Sequence, residues 1–294
     1  MTRAARTALT AAVVALALTG CAAPVVFSAP MIIEQASRPE APQPIDLSDP
    51  GSGAGAVLSA QTMPNLPWTA TRSGMNSARV VHVSQTADGA STEVSASVFT
   101  PSGDAPDGGW PVVSFGHGTT GIESACAPSL SRNLLGLADL AAGFTQAGYA
   151  VAIADYQGLG HPGVHPYLDN PTAGYNMIDA VRALRNTFPD VSNRWVAFGG
   201  SQGGGAAWAA NEQADYAPEL ELLGSVSLAP GADMTGLVDK AGEGTLTDDQ
   251  APRMQWVLES LARTVNGFDL DRYRSAAVAE DWDALTDCTP AQAR

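Results

Sequence analysis

From Arg79 onward, the sequence alternates short apolar runs with longer segments that have the spacing of amphipathic helices. This alternation is typical of strands joined by crossover helices. The predicted strands cover residues 79–84, 93–99, 111–115, 149–154, 194–198 and 222–228. Four of them are nearly free of charged residues, as strands covered on both faces must be. The sequence therefore predicts an α/β fold, with a mostly parallel sheet and helices on both faces.

Three connecting helices are predicted between these strands. In the segment 175–188, apolar residues recur at three- and four-residue steps, and Pro189 ends the pattern. A similar stripe covers 130–146 and is closed by Gly148. An alanine-rich run directly after Ser201 predicts the third helix, so this serine lies between a strand and a helix.

The turn around Ser201 reads Gly-Gly-Ser-Gln-Gly, which fits the G-x-S-x-G pattern of a nucleophile elbow. The residues two before and two after the serine must lack bulk, so that strand and helix can pack closely. In a chain with 30 glycines the bare pattern also fits a Gly-rich turn with a solvated serine. The strand before the turn and the helix after it favour a catalytic role for Ser201.

A second loop, Gly-His-Gly-Thr-Thr-Gly, follows the third predicted strand. In an elbow-type site the loop at this place supplies a backbone N–H group to the oxyanion hole. The predicted donors are the N–H groups of Thr119 and Gln202, with Thr120 as the alternative in the loop. We expect His117 to orient this loop through a hydrogen bond rather than to act as a base.

A serine nucleophile needs an imidazole that accepts its proton. The sequence has four histidines, and all of them precede Ser201. His161 and His165 are predicted to line a pocket mouth. They are not expected to bind a metal, because no cysteine or carboxylate at ligand spacing accompanies them. His82 lies in the first predicted strand and is expected to be structural, and neither a metal nor a cofactor is expected.

Residues 1–21 have the features of a targeting segment: two arginines, a short apolar run and then Leu-Thr-Gly-Cys. These last residues resemble the lipobox of bacterial lipoproteins, which predicts that Cys21 carries lipid and anchors the protein to the membrane. An ordinary secretory signal is the alternative, and both predict export. Residues 22–60, rich in Pro, Gly and Ser, are predicted to form a tether.

Export would place Cys126 and Cys288 in an oxidising compartment, where they are expected to form a disulfide, with two free thiols as the alternative. In the chain-entropy model, such a bridge would stabilise the fold by about 4 to 5 kcal/mol. The net charge of −15, from 15 basic and 30 acidic residues, argues against nucleic-acid binding. The sequence leaves the oligomeric state open.

Five motifs, in their order and spacing, resemble those of the secretory lipase family of the α/β-hydrolase superfamily. They are HGTTG followed by CAPS at 126–129, ADYQGLG at 154–160, GY at 174–175, GGSQGG at 199–204 and YAPEL at 216–220. The resemblance covers residues 79–294. It implies hydrolysis of triacylglycerol or other carboxylic esters by a Ser-Asp-His triad, with a helical lid after the sixth strand. It also implies a disulfide between the cysteine beside the Ala-Pro-Ser motif and one in the lid, which supports pairing Cys126 with Cys288.

The sequence departs from this family pattern after the sixth predicted strand. Residues 61–229 are predicted to form the N-terminal part of an α/β-hydrolase core, and 230–294 the beginning of the lid, with a helix over 254–265. The triad acid and base and the last strands are expected to be missing, because no histidine follows Ser201. Asp233 is the alternative acid.

Three explanations remain for this departure: a fragment of an active lipase, a disrupted gene product, and a non-catalytic lipid- or ester-binding lipoprotein. Loss of the base lowers turnover by about a million-fold in a serine hydrolase. Little ester hydrolysis is therefore expected from these 294 residues.

Overall fold

The sheet of this protein is mixed and has seven strands in the order β1-β2-β3-β5-β4-β6-β7. The strands are β1 (Val57–Thr62), β2 (Asn76–Gln85), β3 (Ser91–Thr100), β4 (Trp110–Gly116), β5 (Ala150–Ala154), β6 (Val191–Gly200) and β7 (Glu221–Leu228). The neighbouring pairs β1–β2, β2–β3 and β3–β5 are antiparallel. The neighbouring pairs β5–β4, β4–β6 and β6–β7 are parallel. All six strands predicted from the sequence are present, and the predicted α/β fold is confirmed.

The computed structural model describes residues 39–274 and 279–288. The chain divides into a unit Met1–Ala41, of which only 39–41 are described, and a unit Pro42–Arg294. The predicted signal segment, with Cys21, lies outside the described residues, as does the first part of the predicted tether. Within the described ranges, no helix combines the length and the apolar character needed to cross a bilayer.

Strand β1 is a correction to the predicted tether, which extended to residue 60. Val57 and Ala60 of this strand are buried in the core, and Ile45 and Leu47 pack against the same core. The sequence did not predict this strand, because its two buried positions are too few to establish a period and it follows a segment rich in Pro, Gly and Ser. Residues 42–60 therefore belong to the folded unit.

Helices cover both faces of the sheet. They are α1 (Trp68–Thr71), α2 (Ala138–Gln146), α3 (Asn170–Thr187), α4 (Gln202–Glu212), α5 (Thr235–Glu243), α6 (Gln250–Thr264) and α7 (Trp282–Leu285). Buried residues of α3 and α4 form one core with the sheet, and buried residues of α1 and α2 form another with different sheet residues. This two-sided cover explains the charge-free central strands.

Helix α2 begins later than the predicted stripe over 130–146. Short 3₁₀ turns occupy its place at Pro128–Leu130 and Leu134–Gly136. Leu134 and Leu135 both have positive φ angles, of 52° and 55°, and Leu134 is completely buried. Burial of this leucine overrides the helical preference of the segment, because tertiary packing outweighs intrinsic propensity.

The parallel part of the sheet places three loops at one edge. Strand β4 pairs with β5 on one side and with β6 on the other, so the chain reverses its direction of progress across the sheet at β4. Ligand sites in open α/β sheets lie outside the carboxyl ends of the strands at such a point. The loops that follow β4, β5 and β6 meet there.

Candidate active site

Ser201 occupies the turn between β6 and α4 in a backbone conformation that residues with a side chain rarely adopt. Its φ and ψ angles are 57° and −120°, a strain that costs about 1 to 3 kcal/mol. Its N–H donates to the carbonyl of Leu228 at 2.9 Å, and its carbonyl accepts from Gly205 at 3.1 Å and Gly231 at 2.9 Å. These three bonds hold the strained residue, which is exposed.

The glycines beside Ser201 bring strand and helix closer than larger residues would allow. A Cβ at Gly203 would overlap the carbonyl oxygen of Gly116 at the end of β4, and a Cβ at Gly199 would overlap that of Gly203. A Cβ at Gly203 would also lie 2.7 Å from the carbonyl oxygen of His117. The start of α4 therefore packs directly on the backbone that follows β4, which only glycine permits.

The two predicted oxyanion donors lie on the segments that meet at this contact. Gln202 is the first residue of α4, where N–H groups have no acceptor within the helix and the dipole is positive. Thr119 lies in the loop after β4, whose Gly118 approaches the elbow: a Cβ there would be 3.8 Å from the carbonyl oxygen of Gly200. The loop and the helix start thus flank Ser201.

His117 is buried and faces backbone carbonyls on both sides of its ring. Its Nδ1 lies 2.7 Å from the carbonyl oxygen of Gly118, and its Nε2 lies 3.2 Å from that of Asp155. Burial lowers the pKa of His117, and the Gly118 carbonyl and the Asp155 charge oppose that shift. The hydroxyl of Tyr156 donates to the His117 carbonyl at 3.0 Å. This arrangement orients the loop and leaves neither ring nitrogen directed at a serine.

His165 is buried beneath the start of α4, rather than at a pocket mouth as the sequence analysis expects. Its Nδ1–H donates to the carbonyl of Gln157 at 2.8 Å, so its Nε2 is an acceptor. The side-chain amide of Gln202 donates to that Nε2 at 2.9 Å. Burial lowers the pKa of His165 to about 4, which keeps the ring neutral at pH 7.

The contact partners of Thr119 were not predicted from the sequence. Its hydroxyl lies 2.9 Å from the hydroxyl of Tyr167, in the loop after β5. The N–H of Tyr167 donates to the hydroxyl of Ser260 on α6 at 2.8 Å, and that hydroxyl donates to the carbonyl of His165 at 3.2 Å. These contacts join residues 48, 93 and 95 positions apart, and no local pattern in the sequence signals them.

The remaining histidines lie elsewhere. His82 is completely buried in β2, where burial lowers its pKa to about 4, and this fits the expected structural role. The Nε2 of His161 lies 2.7 Å from a carboxylate oxygen of Glu93. Within residues 39–274 and 279–288, no hydrogen bond joins the Ser201 hydroxyl to an imidazole or a carboxylate.

Two carboxylates come near the elbow in sequence or in space. Asp233 is exposed and accepts from both the N–H and the hydroxyl of Thr235, at 2.9 and 2.7 Å, so it starts the turn before α5. These bonds lower the pKa of Asp233. Asp155 is completely buried, accepts from Ser95 and from the N–H of Ser129, and has its pKa raised by burial. Neither carboxylate is paired with an imidazole side chain as a triad acid would be.

Helix α6 packs over the loops around the elbow. Trp256 of this helix forms a buried apolar cluster with Ile122 and Tyr167. Cys126 and Cys288, which the sequence analysis pairs, are joined in the structure across 162 residues. The helix predicted over 254–265 is present as α6. The disulfide connects Cys288, at the end of the described residues, to the loop after β4.

The described ranges contain no group of three or more His, Cys, Asp or Glu side chains arranged to hold a metal ion.

Comparison with known proteins gives partial matches to lipases. The chain is 29% identical over 150 residues to a protein of Mycobacterium tuberculosis (strain CDC 1551) named as a probable inactive lipase, covering 47% of this chain and 33% of that protein. It is 30% identical over 132 residues to Lipase 7 of Candida albicans, covering 41% of this chain and 30% of that protein. The matches thus span about a third of the length of these relatives.

Solved structures share the fold. Candida antarctica lipase A in its closed state superposes with a TM-score of 0.63 at 18% identity, over 81% of this chain and 57% of that one. A ligand-bound form of the rice cell wall degrading esterase LipA from Xanthomonas oryzae gives 0.60 at 20% identity, over 80% and 67%. Both likenesses place the sheet and its helices in the α/β-hydrolase fold.

The family model that matches this sequence is described as secretory lipase, and it covers residues 138–289. That range is more than half of the 294 residues and includes the elbow, α4 and α6. The chain therefore belongs to the secretory lipase family.

Proposed function

We propose that this protein cleaves carboxylic esters, of the triacylglycerol type, with Ser201 as the nucleophile. The observation that carries the proposal is the conformation of Ser201, exposed at φ 57° and ψ −120° at the start of α4. Three backbone hydrogen bonds maintain this strain, and strained residues of this kind cluster at sites of chemistry. Membership of the secretory lipase family supports the choice of reaction.

The reaction would proceed through an acyl-enzyme. The Ser201 Oγ attacks the ester carbonyl carbon while its proton passes to a base, and the carbonyl oxygen becomes an oxyanion. The N–H groups of Thr119 and Gln202 donate to that oxyanion. The oxyanion then collapses, and the alcohol leaves with the proton held by the base. Water next attacks the carbonyl carbon of the acyl-enzyme while its proton passes to the base, and the acid leaves as the Ser201 hydroxyl takes that proton back.

The base for this reaction is not one of the four histidines in the sequence. His117 and His165 are bonded to other groups, His161 faces Glu93, and His82 is buried in β2. We therefore expect these 294 residues to turn over esters slowly, whereas binding of an ester in the crevice needs no base. The alternative function is binding of a lipid or an ester without catalysis. It is favoured by the observation that His117, His161 and His165 are bonded to groups other than Ser201.

A fluorophosphonate probe tests the nucleophile. The purified chain should label slowly at Ser201, because none of the four histidines serves as its base. Ser201→Ala should not label, and Ser131→Ala should label at the wild-type rate. Ser131 is a suitable control because its hydroxyl only bonds the side chain of Asn133 on the surface. Equal labelling of the wild type and Ser201→Ala would remove the nucleophile assignment and leave the binding function.

Hydrolysis of a p-nitrophenyl ester tests the base separately. Little turnover is expected from the 294-residue chain. Rapid cleavage that disappears in Ser201→Ala would keep the nucleophile and contradict the inference about the base.

Export and lipid attachment at Cys21 belong to the same proposal. The family description and the disulfide between Cys126 and Cys288 support an oxidising compartment outside the cytoplasm. Mass spectrometry of the N-terminus tests the anchor, because lipid attachment at Cys21 removes the preceding residues and adds a lipid mass. An intact N-terminus without that mass would contradict it.

A further inference from the structure

The loop after β5 contacts both predicted oxyanion donors through two side chains separated by one residue. His165 accepts from the side-chain amide of Gln202 at 2.9 Å, and Tyr167 bonds the hydroxyl of Thr119 at 2.9 Å. Gln202 lies at the start of α4, and Thr119 lies in the loop after β4. The segment 165–167 therefore bridges the two sides of the crevice.

The direction of the His165 bond is fixed by the chemistry of its partners. A carbonyl oxygen can only accept, so Nδ1 carries the proton toward Gln157, 2.8 Å away. The amide nitrogen of Gln202 can only donate, so Nε2 must present a lone pair. Each ring nitrogen thus has the partner that the neutral Nδ1–H tautomer requires, and Gln202 has one allowed amide orientation.

Ser260 of α6 fixes the backbone of the same segment. Its hydroxyl accepts from the N–H of Tyr167 at 2.8 Å and donates to the carbonyl of His165 at 3.2 Å. One buried hydroxyl thus satisfies the backbone on both sides of Pro166. The rings of His165, Tyr167 and Trp256 follow one another with centroids 6.2 and 6.1 Å apart, which packs the segment between the crevice and α6.

We propose that His165 and Tyr167 are positioning residues that hold the oxyanion donors Gln202 and Thr119, and that Ser260 sets their spacing. The inference rests on the proposed function, because these donors matter only if Ser201 reacts. His165 acts by anchoring the Gln202 side chain, so that the backbone N–H of the same residue keeps its direction. Tyr167 does the same for the loop that carries Thr119. Neither residue needs to contact the substrate.

The first test is spectroscopic and does not depend on turnover. Imidazole ¹⁵N spectra of the full chain at pH 7 should show His165 as the neutral Nδ1–H tautomer, assigned by loss of its signals in His165→Phe. Ser260→Ala should shift the side-chain amide signals of Gln202. A His165 ring that is protonated on Nε2 at pH 7 would overturn the inference.

The second test is the rate of Ser201 phosphonylation by the fluorophosphonate probe. Tyr167→Phe, His165→Phe and Ser260→Ala should each slow it by about ten-fold, because a shift of less than 1 Å costs less than the roughly hundred-fold loss that a 1 Å misplacement can cause. The matched controls are Tyr273→Phe, on an exposed tyrosine, and Thr264→Ala, whose hydroxyl bonds only within α6. Both controls should react at the wild-type rate.

A double-mutant comparison separates positioning from a general loss of structure. Gln202→Met should slow the reaction about as much as His165→Phe, and the double variant should be no slower than either, because both act through one bond. The positioning roles would be contradicted if the losses of rate in His165→Phe and Gln202→Met were additive in the double variant. They would also be contradicted if the variants reacted as fast as the controls while Ser201 still labelled. Equal labelling of the wild type and Ser201→Ala would instead overturn the proposed function and this inference together.

Discussion

The backbone N–H of Ser201 donates a hydrogen bond to the carbonyl of Leu228, 2.9 Å away at the end of β7. Strand pairing between β6 and β7 thus continues into the elbow and holds the serine at φ 57° and ψ −120°. The sheet therefore maintains this conformation, and the serine side chain is not needed for it.

The strain at Ser201 gives a first prediction. Ser201→Gly should be more stable than Ser201→Ala by about 1 to 2 kcal/mol, because glycine adopts these angles without a Cβ penalty. Chemical denaturation of the two variants measures the difference. Equal stability of the two, or greater stability of the alanine variant, would mean that the turn relaxes in solution.

The contact between Gly203 and the carbonyl of Gly116 gives a second prediction. Gly203→Ala should destabilise the fold by about 3 kcal/mol, since the added methyl group must displace backbone. The control is Gly143→Ala in α2, where a Cβ meets nothing within 4 Å. That variant should gain about 0.5 to 1 kcal/mol from helix propensity. Thermal and urea unfolding of both variants would test the contrast, and similar effects at the two sites would contradict the close approach.

The disulfide between Cys126 and Cys288 gives a third prediction. It closes a loop with a sequence separation of 162 residues, so its loss should reduce the free energy of unfolding by about 5 kcal/mol in the chain-entropy model. Unfolding of the oxidised wild type is compared with that of Cys126→Ser/Cys288→Ser. A reducing agent should destabilise the wild type and leave the double variant unchanged. Unaltered stability of the double variant would show that the bridge does not constrain the unfolded chain.

The sequence predicted those parts of the fold that leave a local pattern. The central strands are charge-free because helices cover both faces, and the turn at Ser201 is marked by glycines because α4 touches the end of β4. Both features follow from short-range rules of burial and backbone geometry. Strand β1 left no such pattern, because only two of its six residues are buried.

The supports of the site could not be predicted, because they are long-range contacts between single side chains. Gln202 and His165 are 37 positions apart, and Tyr167 meets Ser260 across 93. His165 lies in the loop predicted from the sequence, yet its burial depends on how that loop folds beneath α4. Only the three-dimensional packing shows that this histidine holds a glutamine.

Two buried histidines predict loss of stability in mild acid. Burial lowers the pKa values of His82 and His165 to about 4, below their ordinary value of 6.5. A lowered pKa means that the neutral form is favoured in the folded state. Its contribution to stability is therefore complete above about pH 6.5 and is lost as the pH falls toward 4. Near pH 4, each histidine should lower the free energy of unfolding by about 3 kcal/mol.

His82→Phe isolates one of these contributions. The Nε2 of His82 has no hydrogen-bond partner among the described residues, and its Nδ1 lies 3.2 Å from the Val83 carbonyl oxygen, which also accepts from the N–H of Gly55 at 2.7 Å. Phenylalanine loses this one bond, so the variant should be less stable than the wild type by about 1 kcal/mol at pH 7. As the pH falls from 7 to 4, the free energy of unfolding of the variant should rise by about 3 kcal/mol relative to that of the wild type, because the variant has no buried imidazole that must accept a proton. Trp195→Phe is the matched control, because Trp195 is equally buried and does not titrate, so its effect should be the same at each pH. Urea unfolding curves from pH 7 to pH 4 measure both variants. Parallel curves for His82→Phe and the wild type would show that His82 becomes accessible to water without unfolding.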